Sequence, residues 1–135
     1  MKYLLETPVK ATSLGENYKT AIQWRNGVLI ADEPKKLGGQ DTGPDPYTLL
    51  LSSLVSCTLA TLTMYIEHKG LSVSDIAIGA NLYFKIENGE TITYIEKKIE
   101  FGTTPDPEVQ QRLIQIAENC PVSKILTGNI NIITK

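Results

Sequence analysis

Residues 43–70 read GPDPYTLLLSSLVSCTLATLTMYIEHKG, and the reading of this stretch decides the fold. Asp45 suits an N-cap and Pro46 the first helical position, where a missing N–H costs nothing. Gly70 suits the far end, where a left-handed residue often closes a helix. Between them, residues 48–66 carry no charge and approach the length of a bilayer span. The positions there that are not apolar hold only Ser or Thr. A helix apolar nearly all round is also what a core helix covered on all sides looks like. The rest of the chain reads as strands of a soluble domain, so a central buried helix is expected and not a membrane span. Ser52, Ser56 and Ala60 repeat every fourth position, and small side chains at that spacing let a second helix cross closely.

Outward from this helix, the chain is strand-rich. Residues 8–14, 18–24 and 28–31 read as short strands, separated by Gly15-Glu16-Asn17 and by the hairpin signal Asn26-Gly27. A polar loop with Gly38-Gly39 leads into the helix. After it, Ile76, Ile78, Ala80, Leu82, Phe84 and Ile86 alternate along one face. Residues 91–101 alternate less cleanly, and Glu87-Asn88-Gly89-Glu90 joins the two as a long hairpin. A second helix is expected from Asp106 as N-cap and Pro107, with Val109, Leu113, Ile116, Ala117 and Cys120 along one stripe. Pro121 ends it, residues 122–126 form a short helical turn, and residues 129–134 close the chain as a strand. The pattern is α+β, with antiparallel sheets set around two central helices.

The 135 residues fit one domain, 1–135, and 41% hydrophobic against 21% charged residues is a globular balance. A net charge of -2 without a basic run gives nucleic-acid binding no electrostatic support. MKYLLETPVK at the N-terminus lacks the apolar stretch and cleavage site of a signal peptide, so a cytoplasmic protein is expected. There a permanent disulfide is disfavoured and a transient catalytic one is allowed.

The two cysteines carry the chemistry that the sequence offers. Taken alone, Cys57 reads as a small hydrophobe in a buried helix. Cys120 reads either as the packed end of an apolar stripe or as the N-cap of the turn after Pro121, where a thiol loses its proton more easily. Both fall on inward faces of helices expected to pack together, which points to a dithiol/disulfide couple. A single His with two separated Cys does not make a zinc site, and neither metal nor cofactor is expected. His68 shares a face with Cys57 but lies roughly 16 Å along the helix axis, too far to act as its base. Arg112 falls on the polar face of its helix, whereas a loop next to Asn26-Gly27 could present Arg25 to a site.

The Gly-Gly pair, GPDPYTLLLSSLVSC, NCPVSK and the following GNINIIT together resemble the OsmC/Ohr family of osmotically inducible and organic hydroperoxide resistance proteins. The resemblance runs from about Asp32 to the C-terminus and is closest to a divergent OsmC-like branch. It implies an intertwined homodimer of α+β subunits with sites at the interface. It implies thiol-dependent peroxidase activity, with Cys57 as the peroxidatic and Cys120 as the resolving cysteine. Family members add an arginine from the N-terminal strands, for which Arg25 is the nearest candidate, and a glutamate early in the long helix. Tyr47 stands at the glutamate position, a departure from the pattern. The implied partners are an organic hydroperoxide or hydrogen peroxide, whose alkyl group Leu50 and Leu54 would suit, and a dithiol reductant, often a lipoylated protein. The alternative implied by Tyr47 is a non-peroxidatic dimer that binds a small apolar ligand or senses oxidation.

Overall fold

Turn chemistry sets the first sheet. The structure, a computed structural model, describes residues 2–135, so Met1 of the expected domain lies outside it. Strands β1 (Lys10–Ser13), β2 (Thr20–Trp24) and β3 (Gly27–Ala31) form an antiparallel sheet in the order β1-β2-β3. Between β2 and β3 the register pairs Trp24 with Gly27, so Arg25 and Asn26 make the turn. The expected Asn-Gly hairpin is present but shifted by one residue. A side chain at Gly27 would need the exposed Trp24 ring to shift.

After β3 the chain enters a loop organised by one carboxylate. Asp32 is only 2% exposed. Its Oδ1 accepts from the Glu33 N–H at 2.8 Å. Its Oδ2 accepts from Gln40 N at 3.3 Å, Thr42 N at 3.2 Å and Thr42 Oγ1 at 2.6 Å. The Thr42 hydroxyl bond is the largest influence on this carboxyl; with the backbone N–H groups it outweighs burial and holds the pKa below the usual 3.8. The Gly38-Gly39 pair sits inside this clamp, and a Cβ on Gly39 would lie 1.9 Å from the Glu33 carbonyl oxygen.

Helix α1 (Pro46–Lys69) starts as expected, with the Thr48 N–H donating to Asp45 Oδ1 at 3.1 Å, and Gly70 follows it in the left-handed region with φ 63. The chain divides into two compact units, Met1–Leu50 and Leu51–Lys135. The second unit holds the antiparallel hairpin of β4 (Ile76–Glu87) and β5 (Glu90–Phe101). Asn88 and Gly89 turn it with φ 52 and 78, the two positive values a tight hairpin turn of this hand requires. Helices α2 (Pro107–Ala117) and α3 (Pro121–Thr127) follow.

The core of this unit joins Leu62 and Ile66 of α1 to Leu113 and Ala117 of α2. Ile76, Ile78, Ile99 and Phe101 cover it from the hairpin. Leu62 and Leu113 are completely buried, each contributing about 1.5–3 kcal/mol by leaving water.

Three expectations need correction. The face of α1 that α2 meets runs through Leu62 and Ile66, whereas Ser52, Ser56 and Ala60 are exposed. Large side chains filling grooves won over close backbone approach. The helix is long and apolar enough to cross a membrane, yet it works here as a core helix along one stripe, with Leu54, Thr58, Leu62 and Ile66 buried. Its other sides are open; Met64 is 68% exposed, so this chain alone does not cover it all round. Finally, residues 129–134 are not a strand. Neither sheet includes a partner for them, and a strand without a hydrogen-bonded neighbour has nothing to hold it.

Candidate functional site

Cys120 is completely buried at the junction of α2 and α3. Pro121 at the first position of α3 leaves Cys120 extended (φ -66, ψ 147), and its sulfur caps the helix by accepting from Ser123 N at 3.4 Å. This is the cap that the Cys-Pro sequence predicts. Ser123 Oγ lies 3.1 Å from the sulfur, and Thr58 Oγ1, from the buried stripe of α1, lies at 3.4 Å. Cys57, the residue before Thr58 on α1, also acts on the Cys120 thiol. The structure therefore brings the two cysteines together, with Cys57 half-buried and Cys120 enclosed, and both are free thiols.

Burial is the largest single influence on Cys120 and pushes its pKa up. Against it, hydrogen bonds to the Ser123 hydroxyl, the Thr58 hydroxyl, the Ser123 N–H and Cys57 prevail, and the thiol falls from 9.0 to about 7. A sizeable share of Cys120 is thus thiolate at neutral pH.

One contributor escaped the sequence reading. Lys97 of β5 is half-buried, and its Nζ donates to Ala117 O at 2.7 Å, Thr58 Oγ1 at 3.2 Å and Ser123 Oγ at 3.2 Å. A signal was available: Lys97 alternates with Ile95 and Ile99, so a lysine occupies the inward face of a strand. Lys97 and Ser123 also line an open pocket of about 370 Å³, whose apolar wall includes Leu54, Ile95 and Leu126. Of the two leucines expected to suit an alkyl group, Leu54 lines this pocket and Leu50 is not among its lining residues.

Of the remaining candidates, Arg25 and Tyr47 belong to the N-terminal unit and Arg112 and His68 to the second. Arg25 is exposed at the β2–β3 turn in the N-terminal unit, next to a shallow pocket shared with Trp24, Asn26 and residues 4–7. Tyr47, in the first turn of α1, is 56% exposed. Arg112 donates from Nε to the Tyr65 hydroxyl at 3.0 Å, and His68 is exposed in the last turn of α1. Among the described residues no three His, Cys, Asp or Glu side chains gather as metal ligands would.

Paired cysteines, one behind the Pro46 helix start and one ahead of Pro121, lie within a segment that matches a known family. Residues 39–135 match the family described as OsmC-like protein. The chain belongs to the OsmC-like family. Among its relatives, the uncharacterized protein YmaD of Bacillus subtilis is 25% identical over 121 residues, covering 82% of this chain and 79% of that protein. An organic hydroperoxide resistance protein from Elizabethkingia anophelis, solved with thiocyanate bound, superimposes with a TM-score of 0.71 at 26% identity, over 96% of this chain and 93% of the other. An osmotic stress induced and detoxification response protein from Psychrobacter arcticus has the same fold, with a TM-score of 0.75 at 21% identity and coverage of 93% and 91%. The α+β fold with antiparallel sheets and three helices is thus that of OsmC-like proteins.

Proposed function

We propose that this OsmC-like protein is a thiol-dependent peroxidase that reduces organic hydroperoxides or hydrogen peroxide through a Cys57–Cys120 couple. The observation that carries the reading is the contact of Thr58 with Cys120, which brings the segment of Cys57 to the second cysteine, far from it in sequence. Cys57, the less enclosed sulfur, takes the first step. Its thiolate attacks the distal peroxide oxygen, the O–O bond breaks, and the alkoxide leaves to become an alcohol on protonation. Cys57 is then a sulfenic acid. The Cys120 thiolate attacks the Cys57 sulfur, hydroxide departs and is protonated to water, and a disulfide closes. A dithiol, such as a lipoylated protein, restores both thiols.

The proposed unit is one domain over residues 1–135 acting as a homodimer in the cytoplasm, where thiol reductants are at hand. The open sides of α1 and the exposed Ile130, Ile132 and Ile133 of the C-terminal segment favour a second subunit. Arg25 is proposed to reach the site in that assembly. A redox-sensing or ligand-binding role is the second reading. It is favoured by Tyr47 at the family's glutamate position and by the pocket wall of Leu54, Ile95 and Leu126.

Steady-state turnover of cumene hydroperoxide and hydrogen peroxide with dihydrolipoamide as reductant tests the proposal. Catalytic consumption of either peroxide is expected. A single stoichiometric oxidation with no turnover under any dithiol would leave the sensing role.

A further inference from the structure

We propose that Lys97 is a positioning residue for Cys120: it occupies the oxygens of Thr58 and Ser123 so that their hydroxyl protons serve the Cys120 sulfur, which makes Cys120 the leaving thiolate when a dithiol opens the Cys57–Cys120 disulfide. This deepens the thiol couple proposed above and rests on it.

The geometry carries the argument. An ammonium has three donors, and Lys97 has three acceptors, Ala117 O, Thr58 Oγ1 and Ser123 Oγ. The Ala117 carbonyl fixes the charge at the end of α2. The two hydroxyl oxygens that receive from Lys97 are the two that flank the Cys120 sulfur. Each hydroxyl has one proton to give. The neutral Cys120 thiol donates to Ser123 Oγ at 3.1 Å, and once the thiol is ionised the Ser123 hydroxyl turns its own proton to the sulfur. That of Thr58 is shared between Leu54 O at 2.8 Å and the sulfur at 3.4 Å, and it turns to the sulfur when charge develops there. Thr58 and Cys120 are both completely buried, so this polarisation acts away from bulk water. Of the titratable groups nearby, Cys57 acts on the sulfur from α1, and Lys97 of β5 and Glu118 line the pocket that Ser123 also borders. The low pKa of Cys120 agrees with this arrangement.

Access points the same way. Cys57 is half-buried and Cys120 is enclosed, so an incoming thiolate meets Cys57 first. A bond forms between the reductant sulfur and Cys57, the Cys57–Cys120 bond breaks, and its electron pair leaves with Cys120. The better-stabilised thiolate leaves faster. The reductant's second thiolate then attacks its own sulfur in the mixed disulfide and releases Cys57. The dithiol gives up two electrons in total and becomes a disulfide.

The test closes the disulfide with diamide, which needs no peroxidase activity. The oxidised protein is then opened with 2-mercaptoethanol, quenched in acid and mapped by mass spectrometry. The adduct is expected on Cys57, with Cys120 free; an adduct on Cys120 overturns the proposal. In Lys97→Met the opening should slow about tenfold. In the Cys57→Ser background, the thiolate absorbance of Cys120 should titrate at higher pH when Lys97→Met is added. Ser123→Ala, on a half-buried surface of α3, should move both readouts in the same direction and serves if Lys97→Met does not fold. Opening rates and titrations unchanged in these variants overturn the role of Lys97, even in a protein that turns over peroxide. Slowed opening in a protein without turnover would leave this role standing and remove the peroxidase. Diamide leaving both thiols free overturns both.

Discussion

Thr58 Oγ1 lies 3.4 Å from Cys120 Sγ, which links the middle of the long helix to the cap of the last one. That contact brings the two cysteine-bearing segments together, since Cys57 precedes Thr58 directly in sequence. The neighbouring hydroxyl and thiol leave α1 on adjacent positions, so fixing Thr58 also fixes how closely Cys57 approaches.

The two cysteines are expected to fail differently. Cys57→Ser should abolish peroxide consumption. Cys120→Ser should permit one oxidation per subunit and leave a sulfenic acid that dimedone labels. Labelling confined to Cys120 in the unmodified protein would reverse the roles.

Folding stability should rise with pH across neutrality. The Cys120 thiol sits at about 7 in the folded protein against an ordinary 9.0. Between these values the unfolded chain binds more protons, so the free energy of unfolding increases from about pH 7 to 9 and levels off above. The contribution is lost as pH falls through 7. Urea unfolding under reducing conditions from pH 6 to 9.5 measures this, and the rise should be absent in Cys120→Ser.

Leu113→Ala should cost about 2–5 kcal/mol, because Leu113 is fully buried against Leu62 and Ile66. Chemical denaturation gives the value. A loss below 1 kcal/mol would mean that α1 and α2 do not share the core described.

Tyr47→Glu tests the family glutamate position. With Arg25 in reach, the new carboxylate should hold it and speed Cys57 oxidation a few-fold, as an exposed ion pair of about 0.5–1 kcal/mol allows. Stopped-flow oxidation against pH reports it, and an unchanged rate would take Arg25 out of the mechanism.

Local chemistry was legible in the sequence where one residue type dictates one geometry. Asp45-Pro46 started α1, Pro121 set up the Cys120 cap, and Asn88-Gly89 turned the long hairpin. The face of α1 was not legible, because an uncharged helix offers no contrast between sides, and Leu54, Thr58, Leu62 and Ile66 were chosen by their neighbours. Lys97 was missed because a charged residue in a strand normally faces water; its three acceptors come from α1, the end of α2 and α3, which meet only in the folded chain. The segment 129–134 has strand-like residues but no neighbouring strand, and pairing is not a property of one segment.

The sulfur of Cys120 has two occupations. It accepts the Ser123 N–H that begins α3, and it is one end of the proposed disulfide. If closing that bond draws the atom off the Ser123 N–H, α3 would carry a mechanical record of the thiol's oxidation state. The amide of Ser123 should exchange with solvent faster in the oxidised protein, so the helix end would report the redox state without a reporter dye.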